Sequence, residues 1–362
     1  MGIHQLSKLL QHSAKPAIKN RDISYFTGQR IAIDASLSLY QFLIAVRSDG
    51  AGLTTDSGDT TSHLIGTFYR TIRIVTSGIK PLFVFDGLPP ELKLSHELEK
   101  RKEKRDAAAK EYEMALETGD KEQIEKFDKR KVKVTKKHVD DCKKLLDLMK
   151  VPYVVAPSEA EAYAAYLCIK GVVDAVATED MDALTFGAPI LLRNLNAAEN
   201  KKLPIVEYNL KEILKELKIN HNQFIDVCIM LGCDYVKPLR GFGPKRAYEM
   251  ILKHKDIETI LEKEKIKSLE STKNENSSEA DDIWNFEEAR IIFNELPHVS
   301  DEIIEKMPEI DFDKIVVDDV VKFLVHENGF SEERVLKGLE RFKSAKEKKK
   351  QVRIESFFKK VD

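Results

Sequence analysis

Tryptophan occurs once in this 362-residue chain and cysteine four times. Cys142, Cys168, Cys228 and Cys233 lack the close paired spacing that holds zinc. They read as reduced, mostly buried thiols of an intracellular protein, not as a disulfide framework. Net charge is also missing: 59 Lys and Arg stand against 61 Asp and Glu, a formal −2, which excludes a uniformly basic coat for nucleic acid. No apolar run is long enough to cross a bilayer and no signal peptide is evident, so the expectation is a soluble protein without a membrane partner. Met1-Gly2 opens as a myristoylation signal does, but Leu6 occupies the position where Ser or Thr is needed. The length allows one large or two smaller domains.

Charge itself is abundant, at 33% of residues, so its distribution carries the information. Arg30-Ile-Ala-Ile-Asp34 and Pro81-Leu-Phe-Val-Phe-Asp86 each read as a short apolar strand ending in an aspartate. Val173 to Asp180 reads the same way, with Asp182 two residues on. Ser158-Glu159-Ala-Glu161-Ala opens a helix, and Phe224 to Asp234 reads as a helix closing on an acid. One acid after a strand is ordinarily a turn former or a helix cap, Glu159 and Glu161 suit a first-turn dipole after a Ser158 cap, and Asp182 suits a solvated loop. Seven acids at element ends, in two acid-x-acid pairs and three singles, go beyond that. The carboxyl edge of an α/β sheet is where ligands collect. Carboxylates gathered there repel one another unless divalent cations neutralise them. Hard oxygen donors without a nearby His or Cys cluster favour Mg²⁺ or Mn²⁺ over zinc. The chemistry implied is that of a two-metal phosphodiesterase.

Residues 1 to about 92 alternate strands with helices, including an amphipathic stretch from Thr60 to Val75. From Lys93 to Lys137 the chain is highly charged, which fits solvent-exposed helices, helices that meet phosphates above a site, or both. Alternation resumes from Val139 to about Leu252, Lys263 to Asp282 is polar, and the end is basic before Gln351-Val-Arg-Ile-Glu-Ser-Phe-Phe358. Arg240-Gly241-Phe-Gly243-Pro-Lys245-Arg246 precedes a helix expected to begin near Ala247. Gly241 and Gly243 let backbone N–H groups approach a phosphate, with Lys245 and Arg246 as counter-charge. The pattern suits either a plain turn or the hairpin that helix-hairpin-helix proteins press onto a DNA backbone, without sequence preference.

Met1-Gly-Ile, Ala32-Ile-Asp34-Ala-Ser, Tyr40-Gln-Phe-Leu, Val84-Phe-Asp86-Gly, Pro157-Ser-Glu-Ala-Glu161-Ala, Thr178-Glu-Asp-Met-Asp182 and Leu231-Gly-Cys-Asp234-Tyr follow one another in order. Together they resemble flap endonucleases, the structure-specific 5′ nucleases, over nearly the whole chain. The resemblance implies an α/β fold: a twisted, largely parallel central sheet flanked by helices, with a helical arch and a helix-hairpin-helix-type DNA-binding motif. It implies an N-terminal nuclease region over 1–105, the arch over 93–137 and an internal nuclease region over 123–254 containing the hairpin at 240–246. A C-terminal helical region over 255–342, with a polar insertion at 263–282, precedes a tail over 343–362.

On this resemblance Asp34, Asp86, Glu159 and Glu161 would serve one Mg²⁺, and Asp180, Asp182 and Asp234 a second, with Mn²⁺ as a substitute. Lys93 and Arg101 would touch the scissile phosphate, with Lys100 as a substitute for Arg101 because the alignment needs a one-residue shift. Tyr40 would stack on the flipped terminal base. Arg47, Arg70 and Gly232 would meet the substrate strands, alongside Glu159, Asp234, Gly241, Gly243, Lys245 and Arg246. The loop around Thr55, Asp56 and Thr61 resembles the pocket for a one-nucleotide 3′ flap. Lys237-Pro238-Leu239 departs from the family's hairpin, leaving a monovalent-cation site there open.

The expected activity is that of a structure-specific 5′ flap endonuclease, with 5′-3′ exonuclease action, trimming displaced strands of branched duplex DNA in replication, including Okazaki fragment maturation, and in base excision repair. Gln351, Ile354, Phe357 and Phe358 match the box that docks on the replication sliding clamp; the other reading is that the two aromatics cover the protein's own surface. A monomeric nuclear enzyme is expected, with a mitochondrial pool left open. Two alternatives remain, a non-catalytic clamp-tethered scaffold for DNA branches and an exonuclease or bubble-cutting relative.

Overall fold

The computed structural model describes residues 2–45, 61–88, 106–107, 110–114, 123, 134–197, 202–264, 284–295, 297, 305 and 307–348. Arg47, Thr55, Asp56, Lys93, Lys100, Arg101 and the box from Gln351 to Phe358 lie outside the described residues, as does nearly all of the expected arch.

Seven strands form one sheet in the order β1-β7-β6-β5-β2-β3-β4. They are β1 (Ile18–Arg21), β2 (Arg30–Asp34), β3 (Lys80–Phe85), β4 (Tyr153–Val155), β5 (Ala175–Ala177), β6 (Ile190–Arg193) and β7 (Ile205–Asn209). The five from β4 to β6 run parallel; β7 is antiparallel to β6, and β1 to β7. The near-continuous apolar runs of β2 and β3 follow from this, since parallel strands are covered on both faces.

Side chains alternate between two apolar layers, as the strand period of two requires. Ala32, Leu82, Val84, Val176 and Leu191 enter a layer shared with α1 (Leu6–Ser13), α5 (Ala160–Ile169), α7 (Leu210–Leu217) and α8 (His221–Leu231). Ile31, Ile33, Phe83, Phe85 and Leu192 enter the opposite layer with α2 (Ala35–Ala45), α3 (Ser62–Thr76), α4 (Lys136–Leu148), α12 (Val317–Val321) and α13 (Glu332–Lys348). Each fully buried Ile, Leu or Phe contributes roughly 1.5–3 kcal/mol. Gly338 lets α13 close on α3, because a Cβ there would meet the Phe68 ring at 2.8 Å.

Several expected boundaries move. The helix after Pro157 has Glu159, not Ser158, at its N-cap, and it starts at Ala160. α8 ends at Leu231, not at Asp234, because Gly232 turns the chain at φ 90°. α9 (Pro244–His254) starts three residues before Ala247, with Pro244 at a position where a missing N–H costs nothing. Lys245 and Arg246 therefore ride on its first turn.

Besides apolar packing, a buried acid links two of the later helices to α8. Asp226 on α8 is 4% exposed. Its Oδ1 accepts from Arg290 Nε at 2.8 Å on α11 (Phe286–Asn294), and Arg290 also grips Glu258 of α10 (Ile257–Lys263) at 2.6 and 3.1 Å. Burial pushes the Asp226 carboxyl up to about 6, while the Arg290 guanidinium pulls it down. A raised carboxyl stabilises fully below its unfolded value near 3.8 and loses that contribution as pH rises through about 6. Arg290→Ala should therefore cost roughly 1–3 kcal/mol, more at pH 8 than at pH 5, because the unpaired acid must ionise inside the fold. Urea unfolding at the two pH values checks this, and an equal loss at both would contradict it.

Candidate active site at the carboxyl edge of the sheet

β2 neighbours β3 on one side and β5 on the other, so the strand order reverses there. That reversal opens a crevice at the carboxyl ends of the strands. Asp34 is the last residue of β2 and is 2% exposed. Its Oδ1 accepts from Leu37 N–H at 2.9 Å and its Oδ2 from the Thr178 hydroxyl at 2.8 Å. Asp86 follows β3; its N–H donates to Ser36 Oγ at 3.0 Å and its Oδ1 accepts from Ala160 N–H at 2.9 Å. An acid from one strand thus caps α5, whose own N-cap and first turn carry Glu159 and Glu161.

Thr178 lies just beyond β5, and its hydroxyl accepts from Asp180 N–H at 3.1 Å. Asp180 Oδ1 in turn accepts from Asp182 N–H at 3.0 Å, which begins the short helix α6 (Asp182–Thr185). Both acids are buried, so Asp182 is no solvated loop residue. Tyr235, following Asp234, donates its hydroxyl to Glu159 Oε2.

Electrostatics link the acids further. Burial, then the Asp86 and Asp180 charges, push the Asp34 carboxyl up to about 7, against the Leu37 and Thr178 hydrogen bonds. Burial holds the Tyr235 phenol well above its ordinary value, and the Glu159, Asp182 and Glu161 charges add to that. The Cys233 thiol, pushed up to about 12 chiefly by burial, also feels Asp182 and Asp234. The seven acids predicted from the sequence thus converge on one region. Thr178 and Tyr235 were not singled out from the sequence. Their signal was adjacency, Thr178 two residues before Asp180 and Tyr235 directly after Asp234, and adjacency alone says nothing of a hydrogen bond.

The residues expected to meet nucleic acid divide. Tyr40 is half-buried on α2. Arg70 turns inward in part, with Nε donating to Asn196 O at 2.9 Å and its guanidinium 5.7 Å from the Phe42 ring. Gly232 is required by packing as well as by its positive φ, since a Cβ there would meet Pro238 at 2.7 Å. At the hairpin, Gly241 turns at φ 81° and Gly243 caps α9. The Lys245 side chain is 82% exposed, whereas Arg246 lies 4.4 Å over Phe242 and reaches Gly241 O and Glu264. Thr61, expected at a substrate pocket, is buried at the N-cap of α3.

The XPG N-terminal domain matches residues 1–108 and the XPG I-region residues 150–234. Flap endonuclease 1 of Encephalitozoon cuniculi is 50% identical over 357 residues, 99% of each chain. Among solved structures, flap endonuclease-1 from Methanococcus jannaschii superposes with a TM-score of 0.66 at 32% identity, covering 92% of this chain and 97% of that one. The catalytic core of Rad2 in complex with DNA substrate gives 0.63 at 26% identity, covering 94% and 100%. The chain belongs to the flap endonuclease family.

Flap endonucleases are metal-dependent nucleases. Among the described residues, no group of three or more His, Cys, Asp or Glu side chains is arranged to hold a metal ion. The chemistry of the donors nevertheless suits one. Its donors are all hard carboxylate oxygens, suited to Mg²⁺ or Mn²⁺. Burial, and after it the Asp86 and Asp180 charges, lift Asp34, a cost that a cation removes. Gly2, at φ 70°, packs so closely on Asp180 and Asp182 that any Cβ there would strike their carboxylates.

A carboxyl raised in the fold contributes stability that is present below its unfolded value of 3.8 and lost as pH rises through about 7. In EDTA the melting temperature should therefore fall across that window, and Mg²⁺ should raise it more at pH 8 than at pH 5. Asp34→Asn should flatten the slope in EDTA. Wild-type and Asp34→Asn melting curves recorded from pH 5 to 8 check this; parallel slopes would remove Asp34 as the cause.

Proposed function

We propose that the acidic edge is the hydrolytic centre at which this protein cuts branched DNA. The chain is a 5′ flap endonuclease, a metal-dependent phosphodiester hydrolase. One observation carries the location of its centre: acids from separate strands and helices meet at the sheet's switch point, Asp34 within the field of Asp86 and Asp180. A surface built only to bind phosphate gains nothing from carboxylates, which disfavours a non-catalytic scaffold.

In the finer reading, Asp34, Asp86, Glu159 and Glu161 hold one Mg²⁺, and Asp180, Asp182 and Asp234 hold a second. The chemistry such ions supply is activation of water and stabilisation of charge on the phosphodiester under attack. The chain's own residues bind, orient and select. Lys93 and Arg101 meet charge that develops on the scissile phosphate. Tyr40 stacks on the unpaired terminal base, an opening comparable in cost to base flipping. Arg47, Arg70 and Gly232 steer the strands. Lys245 on the first turn of α9 holds the duplex backbone together with the Gly241 and Gly243 amides, reading shape and not sequence. Nuclear residence, and work at replication forks and repair sites, accompany this reading.

Asp180→Ala should slow cleavage on the order of 10³-fold or more while flap binding survives, since a ligand is lost and an anion facing phosphate removed. Single-turnover cleavage of labelled flap, nicked and bubble substrates with Mg²⁺ or EDTA tests this and separates the exonuclease and bubble-cutting readings. Near-normal turnover of the variant at saturating Mg²⁺ would sink the ligand assignment.

We also propose that Gln351, Ile354, Phe357 and Phe358 dock on the replication sliding clamp. A compact aromatic plug carries most of the energy of a small interface. Replacing Phe357 and Phe358 together by Ala should leave cleavage of free flaps unchanged and abolish stimulation by the clamp. A double variant that melts lower yet still responds fully would instead place the aromatics on the protein's own surface.

A further inference from the structure

Thr178 joins two acids that the proposed centre assigns to different ions. Its hydroxyl donates to Asp34 Oδ2 at 2.8 Å and accepts from Asp180 N–H at 3.1 Å. A hydroxyl has one proton to give, so the first bond orients the rotor and leaves a lone pair for the second. The residue is 5% exposed, and its own N–H donates to Leu192 O at 3.2 Å, which keeps it anchored to β6 at the end of β5. Threonine is also stiff about its first side-chain torsion. The sheet thus presents a fixed hydroxyl between a strand-borne acid and a loop-borne one.

We propose that Thr178 is a positioning residue whose hydroxyl holds the Asp34 carboxylate in register with the Asp180 loop, locking the two acid sets into one frame. Leu37 N–H fixes the other Asp34 oxygen at 2.9 Å, so both oxygens have a protein donor before any ion arrives. The Asp180 loop is held in turn by the Asp182 N–H on Asp180 Oδ1. Removing the hydroxyl frees Asp34 to rotate and the loop to drift, which changes how well both sets converge on an ion. Partners that orient metal ligands typically matter 10–100-fold in metal affinity or activity.

The proposal rests on reading the seven acids as ion ligands, and the test separates the two. Thr178→Val keeps the shape and deletes the hydroxyl; Thr178→Ser keeps the hydroxyl. Mn²⁺ binding is followed by electron paramagnetic resonance without DNA, flap cleavage by single turnover, flap affinity in EDTA, and folding by melting in EDTA. Thr178→Val should weaken Mn²⁺ binding and slow cleavage, each about 10–100-fold, with flap affinity unchanged, and Thr178→Ser should stay close to wild type. A Thr178→Val protein that melts lower but binds Mn²⁺ and cleaves normally overturns the proposal, as does a Thr178→Ser protein as impaired as Thr178→Val. Wild-type protein that binds no Mn²⁺ overturns the ligand reading and this proposal with it.

Discussion

Burial of carboxylates beside one another is the constraint on which the acidic edge of this molecule depends. Two unit charges 4 Å apart repel by about 4 kcal/mol at an effective dielectric near 20, and a charged hydrogen bond returns about 1.5–3. Donors aimed at the acids can hold them in place without fully relieving them. Leu37 N–H, Ala160 N–H, Asp182 N–H and the Thr178 and Tyr235 hydroxyls do this, from four separate segments of the chain. Asp34 remains raised despite its two donors. Burial and the neighbouring charges keep it there, and a cation would relieve both.

The sheet supplies the geometry. Parallel strands bring several carboxyl ends to one edge, and the reversal of order at β2 spreads the loops that follow them. Asp34 and Asp86 leave neighbouring strands, and the β5 turn brings Asp180 and Asp182 alongside. Two apolar layers hold the edge rigid from both faces. The antiparallel pair β7 and β1 lies at the far side, away from the acids, and closes the sheet without contributing to them.

Division of labour is visible at the hairpin as well. Arg246 spends its guanidinium on Phe242, the Gly241 carbonyl and Glu264, bracing the turn, while Lys245 extends into solvent from the same helical turn. Neighbouring cations at one motif therefore differ in setting: Arg246 braces the backbone turn, whereas Lys245, exposed, pairs with Glu249 at 3.8 Å along the helix. Arg70 is engaged in the same way, since its Nε holds the Asn196 carbonyl and its guanidinium lies 5.7 Å from the Phe42 ring.

Much of this was legible in the chain. Apolar strands ending in acids and two acid-x-acid pairs pointed to a largely parallel α/β sheet and to seven acids that the fold gathers at one edge, because strand burial and carboxylate placement are local patterns. Helix boundaries shifted where a distant group intervened. α5 begins at Ala160, where the Asp86 carboxylate takes its N–H, and α8 stops at Gly232, where a left-handed turn packs on Pro238. Thr178 and Tyr235 were invisible as partners of the acids, since their sequence separations from Asp34 and Glu159 are 144 and 76. Residue types and their order along strands decided which chemistry this protein carries. Only the packed sheet decided which hydroxyls and amides hold those acids, because a hydrogen bond between distant segments depends on where folding brings them together.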